Sequence, residues 1–172
     1  MFSPREPFLE RGWPGRIDGD RVIQLAAQTL QAFFTGGGLA REHAEYALAD
    51  VVFRAPVLRP PSVRIFGEDG DFAFANPAAI TAAGEEPEVP EAEPVERVAA
   101  IIGAGGAIGG FTPLVEWVAP TLQGAKQRDF ALTLGPVVTT PDEATPPGVD
   151  WERLVAHAAE NTTLYPGDLI AR

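Results

Sequence analysis

Three stretches of this sequence hold residues able to do chemistry. Glu42-His43-Ala44-Glu45 offers two carboxylates and an imidazole, a donor set that suits a transition metal. Residues adjacent in the chain rarely converge on one ion, however, so a solvated segment is the expectation there. His157 falls off the apolar stripe of a predicted helix and is expected at the surface. These are the only two histidines, so few acid–base constellations are available. The chain has no cysteine, which excludes disulfides, thiolate zinc sites and cysteine nucleophiles. No Gly-x-Ser-x-Gly occurs to form a nucleophile elbow.

The third stretch, Val98-Ala99-Ala100-Ile101-Ile102-Gly103-Ala104-Gly105-Gly106-Ala107-Ile108-Gly109, resembles a dinucleotide fingerprint. Such a motif uses glycines for a tight turn and for close approach of backbone N–H groups to a pyrophosphate. Ile108 stands where the third glycine belongs, and Pro113 comes too early for a full following helix. An acidic segment precedes the strand. A glycine-rich connection between two strands fits these features better than a phosphate cradle.

The elements that would position such residues are short. Seventeen prolines and 18 glycines in 172 residues favour turns and short strands over long helices. Arg16 to Val22 reads as a hairpin about Asp18-Gly19. Val22 to Phe34 has apolar residues three and four apart and predicts an amphipathic helix, ended by Gly36-Gly37-Gly38. A short polar stretch follows, then a strand near Val51–Phe53. Leu58-Arg59-Pro60-Pro61 marks a boundary. Residues 63–80 read as short strands broken by Gly67-Glu68-Asp69-Gly70, 84–96 as an acidic surface loop, and Val98–Ile102 as a buried strand. Asp150 is placed to cap a helix from Trp151 to about Ala159, with Trp151, Leu154, Val155 and Ala158 inward. Tyr165-Pro166-Gly167-Asp168 is a turn leading into a strand at Leu169-Ile170.

The net charge of −11 repels nucleic-acid phosphates and disfavours anionic membrane surfaces. No apolar run reaches the roughly 18 residues that span a bilayer, and the N-terminus lacks the apolar region of a signal peptide. A cytoplasmic protein without nucleic-acid or membrane partners is the expectation.

Lys126-Gln127-Arg128-Asp129, followed by Gly135-Pro136, a strand and Asp142-Glu143, resembles a segment of the fumarylacetoacetate hydrolase family. Ala55 to Arg64 resembles the entry to that family's main domain, and Asn161 to Ile170 its late turn and strand. The resemblance implies a mainly β fold with minor α: a rolled mixed sheet over residues 59–172, preceded by a small N-terminal α/β domain over residues 1–58. It implies a homodimer, Mg²⁺ or Mn²⁺ as cofactor, and a 2-oxo or diketo acid as small-molecule partner. The metal would polarise that acid for hydrolysis, isomerisation or decarboxylation.

Carried over residue by residue, the resemblance puts Lys126 at the family's catalytic lysine. Glu116, after Gly110-Phe111-Thr112, stands where the family has an aspartate metal ligand. Aligning on Ile102-Gly103 puts Val95 and Arg97 where the family has its Glu-x-Glu ligands, with Glu96 on the opposite face. Arg97 brings a positive charge to the cation's place, where it would pair with a ligand carboxylate or with Glu116. Arg97 and Phe111 are the residues expected at the substrate. The family's histidine-bearing segment after Val63 and its closing glycine- and threonine-rich segment have no counterpart. The expectation is a divergent, shortened member, degenerate at the metal site, that binds a small molecule or plays a structural role. A metal-dependent enzyme of oxo acids is the alternative, and a dinucleotide-binding protein a further one.

Overall fold

The computed structural model describes residues 1–172. Its N-terminal part carries strands β1 (Phe2–Pro4), β2 (Gly15–Asp18) and β3 (Arg21–Leu25), helix α1 (Leu30–Thr35), and strands β4 (Glu42–Ala47) and β5 (Val51–Phe53). β2, β3 and β4 form an antiparallel three-stranded sheet, while β1 pairs with β5. The hairpin expected at Arg16–Val22 is present. Its turn residues are Gly19 and Asp20, with Gly19 at φ +59°.

The helix expected from Val22 is a strand and then a short helix instead. Val22 and Ile23 are β-branched, bury one strand's worth of surface, and pair with both β2 and β4. β-branched side chains favour that pleated setting over a helix. The helix begins only after Thr29, whose hydroxyl accepts from the Ala32 N–H. It stops at the predicted glycines, with Gly37 and Gly38 in the left-handed region at φ +78° and +73°. The polar stretch before Val51 includes β4, whose Glu42 and Glu45 pair with Arg16 of β2 and Arg21 of β3. His43 beside them meets only Gln24, at 3.4 Å, so the two carboxylates and the imidazole do not converge.

The rest of the chain supplies β6 (Val63–Phe66), β7 (Phe72–Ala75), β8 (Ile80–Ala82), β9 (Glu93–Ile102), β10 (Ile108–Val118), β11 (Leu132–Leu134), helix α2 (Trp151–Ala158) and β12 (Leu169–Ala171). These strands form one curled mixed sheet in the order β7-β6-β12-β9-β10-β11-β8. The mainly β, rolled mixed sheet expected from the sequence is the observed architecture. β9 starts five residues before the apolar run, so Glu93 to Arg97, read as loop or left unassigned, are strand. β9 and β10 are the longest pair, in antiparallel register from Glu93↔Val118 to Ile102↔Ile108. The glycine-rich stretch is the connection between them, and no helix follows it.

One face of the sheet packs Val63, Ile65, Ile101, Leu114, Leu132, Leu134 and Leu169 into the main core. Phe34 of α1 together with Ala55 and Val57 completes that core. The opposite face, with Phe66, Ala100, Phe111 and Ile170, is covered by α2 through Trp151 and Ala158. Asp150 caps α2 by accepting from the Arg153 N–H, as its sequence position predicted. No helix of the structure is long and apolar enough to cross a membrane.

Candidate functional site

β9 and β10 carry the residues that matter through strand parity. In their register Arg97 lies opposite Leu114 and Val95 lies opposite Glu116. Cross-strand partners share a face, so Val95, Arg97 and Glu116 all project to the side of Leu114, toward the main core. Arg97 and Glu116 are diagonal neighbours, close enough for a long side chain to bridge.

That bridge forms. Arg97 donates from Nε at 2.8 Å and from its terminal nitrogen at 2.7 Å, both to Glu116 Oε2. Arg128, on the segment leading into β11, donates to Oε1 at 2.9 Å. The Glu116 side chain is only 4% exposed, that of Arg97 17% and that of Arg128 55%. A carboxylate this deeply buried needs charge-assisted partners to hold its charge. Here both of its oxygens have them. The three residues carry a net formal charge of +1.

They line one wall of a cavity of about 480 Å³, walled also by Ile65, Ala73, Asn76 and Asp129. Asp69 and Asp71 reach its far rim from the β6–β7 turn. Both are spent locally: Asp69 accepts from the Asp71 N–H and Asp71 from the Phe72 N–H. Nowhere in the chain do three His, Asp or Glu side chains come together as a cation's ligands would.

Lys126 sits in a single 3-10 turn, Gly124–Gln127, whose Gly124 and Ala125 line this cavity while Lys126 does not. Its side chain is 76% exposed, and its ammonium pairs with Asp129 at 2.8 Å. Arg128, two residues on, is the basic side chain of this segment that reaches Glu116. Nothing in the sequence marked Arg128 above its neighbours, because the segment around it is irregular and side-chain direction there follows no period. Lys126→Ala is expected to change stability by less than about 1 kcal/mol, as exposed ion pairs do, in a urea titration against the parent chain.

Phe111 departs from its expected place at the substrate. It is buried on the opposite face of the sheet, with its ring 5.1 Å from that of Trp151. It lies five positions before Glu116 along β10, and successive strand side chains point to opposite sides. The structure therefore brings together Arg97, Glu116 and Arg128, with Val95 beside them, while Lys126 points to solvent and pairs with Asp129, and Phe111 lies on the other face.

The glycine-rich connection is explained by packing. A Cβ on Gly109 would come within 2.9 Å of the Phe34 ring, and one on Gly110 within 2.4 Å of Val138. Gly105 and Gly106 turn the chain at φ +65° and +82°. The Gly103 N–H donates to Ala107 O and the Ala107 N–H to Ala104 O, so these donors are consumed within the turn.

No family model matches the sequence and no curated protein is similar to it by sequence. Solved structures are similar to it in fold. Maleylpyruvate hydrolase from Sphingobium sp. SYK-6 superposes with a TM-score of 0.76 at 20% identity, over 99% of this chain and 87% of that one. The same hydrolase in complex with manganese(II) and pyruvate gives 0.74 at 20% identity, with the same coverage. A 2-keto-3-deoxy-D-arabinonate dehydratase complexed with magnesium and 2,5-dioxopentanoate gives 0.72 at 15% identity, over 99% and 85%. Hydrolase and dehydratase both have the fumarylacetoacetate hydrolase fold, and this chain has that fold across nearly its whole length.

Proposed function

We propose that this chain is a divergent, non-catalytic version of the fumarylacetoacetate hydrolase fold, with arginine in the metal's place, that binds a small carboxylate-bearing molecule or serves a structural role. The observation that carries this reading is the double arginine clamp on Glu116. A hard divalent cation needs free carboxylate oxygens, several of them in most protein sites. Glu116 has both oxygens engaged, and the residues beside it are Val95 and Arg97. The donor set does not fit Mg²⁺ or Mn²⁺, and a second positive charge next to Arg97 would be repelled. Arg128, half exposed at the cavity wall, is the group that would meet a small anion, against the carboxylates of Asp69, Asp71 and Asp129 on the same lining.

A metal-dependent hydrolase, isomerase or decarboxylase of oxo acids is the second reading. It is favoured by the manganese–pyruvate and magnesium–dioxopentanoate complexes of the similar folds. Thermal melting separates the two. A ligand that binds only the folded chain raises the midpoint by mass action. The expected result is no shift with Mn²⁺, Mg²⁺ or EDTA, and a rise with pyruvate or oxalate that does not depend on metal. A rise that needs metal and is reversed by EDTA would establish the second reading instead. No response to metal or to acid would leave the structural role.

A further inference from the structure

A second cavity, larger than the one beside Glu116, lies elsewhere in the molecule. It has a volume of about 780 Å³ and lies between α1, the β2–β3 hairpin, the β9–β10 connection and the loop over residues 136–143. Both glycine runs of the sequence border it: Gly37 and Gly38 at the end of α1, and Gly103 and Gly109 of the connection. Glycine backbones leave room that side chains would fill, and at Gly37 and Gly38 the positive φ also disfavours any replacement. Fourteen of its 25 lining residues are hydrophobic, among them Leu30, Phe33, Ile108 and Val138. Ile17 and Val137, also on its walls, are 42% and 37% exposed. A cavity of this size and apolar character, with a few polar groups at one end, is the usual form of a small-molecule site.

The polar end is acidic. The basic groups on the lining are Arg16, committed to Glu42 at 2.6 Å and Asp18 at 3.6 Å, and the Met1 α-amino group, whose pKa burial pushes down to about 6. The hydrogen bond to Glu42 holds the guanidinium even more firmly protonated. Asp142 and Glu143 are exposed and have no cationic partner. Thr140 orders them, donating from its N–H and its hydroxyl to Glu143 Oε2 at 3.1 and 3.0 Å. The Thr140 hydroxyl, shared between the two carboxylates, and the Asp142 N–H hold the Asp142 carboxyl below the ordinary range. Two carboxylates at the mouth, on a chain of net charge −11, repel phosphate and carboxylate ligands. The Gly103 and Ala107 N–H groups are already bonded inside the turn, which leaves the connection fewer donors for a pyrophosphate.

We propose that this cavity binds a small lipophilic amine, its alkyl or aryl body seated between α1 and the β9–β10 connection and its ammonium group at the mouth beside Asp142 and Glu143. The apolar body gains by leaving water, and the ammonium keeps partial hydration at a charged rim. The site is separate from Arg97, Glu116 and Arg128 and does not depend on how those residues act.

Isothermal titration of the whole chain with n-octylammonium, n-octanol and n-octanoate tests this. The expected order of affinity is ammonium, then alcohol, then carboxylate. Asp142→Asn is expected to weaken the ammonium by about fivefold, the scale of one partly solvated charge pair, and to leave the alcohol unchanged. Val137→Trp, at a half-exposed position on the wall, is expected to abolish binding of all three. Its circular dichroism and unliganded melting midpoint report whether it folds, and Ala107→Trp, at an exposed position on the opposite wall, is the second occluding variant. The proposal is overturned if octylammonium does not bind, if octanoate binds as tightly, or if folded occluding variants bind like the parent chain.

Discussion

Arg97→Ala is expected to destabilise the chain by about 3 kcal/mol, the low end of the cost of removing one partner from a buried ion pair. Glu116 would stay buried with Oε2 stripped of both of its bonds. The loss is held to the low end because Arg128 still reaches Oε1. For a chain of this length that is a fall of about 6–12 °C in melting midpoint. Arg97→Ala combined with Glu116→Gln is expected to cost less than Arg97→Ala alone. The amide no longer needs a cation, and two residues in direct contact do not add. Urea denaturation of the three variants measures this. A single variant within 0.5 kcal/mol of the parent, or a double variant whose cost is the plain sum, would mean that Arg97 does not hold the charge of Glu116.

The second large effect lies at Asp168, before β12. The residue is 2% exposed. Its Oδ1 accepts from the Ser62 hydroxyl at 2.6 Å and its Oδ2 from the Tyr165 N–H at 2.7 Å. Ser62 in turn accepts from Arg64, which is itself buried, lies over the rings of Phe72 and Phe74, and has no partner for its Nε. Asp168 is thus the anionic end of a relay whose cationic end has no other counter-charge. Asp168→Ala strands a hydroxyl, an N–H and the far guanidinium together, and is expected to cost about 3–4 kcal/mol. Asp168→Asn keeps one acceptor oxygen and is expected to cost about half as much. Equal losses for the two, read from the same urea titrations, would show that the carboxylate's charge, not a retained acceptor oxygen, is what Asp168 contributes.

Those two residues differ in how far the sequence betrayed them. Strand parity together with the likeness to a known segment was enough to put Val95, Arg97 and Glu116 on one face, and the structure's register pairs them there. The same parity argues against Phe111 at that face, because it and Glu116 are an odd number of residues apart. Its neighbours in the motif obscured that. Arg128 was invisible because no period governs an irregular segment. Helix α2 was legible from its cap and its apolar stripe, both of which are local. Val22–Phe34 was misleading for the opposite reason. Spacings of three and four over so few residues also occur by chance, and tertiary pairing of β3 on both sides overrode them. Glu93 to Glu96 read as loop because their acidity outweighed a pairing with β10 that only the fold supplies.

The place of β12 has a consequence for synthesis. It follows every other strand of its sheet in the sequence and sits between β6 and β9, parallel to the first and antiparallel to the second. On the ribosome, β6 emerges about a hundred residues before the strand that seals it. At typical elongation rates of about 5–20 residues per second, its unpaired edge waits on the order of 5–20 s. Through that interval the nascent chain presents Val63 to Phe66, all buried once folded, as an open template for other chains. Translation speed and chaperone occupancy between β6 and β12 would therefore bear on the yield of folded protein.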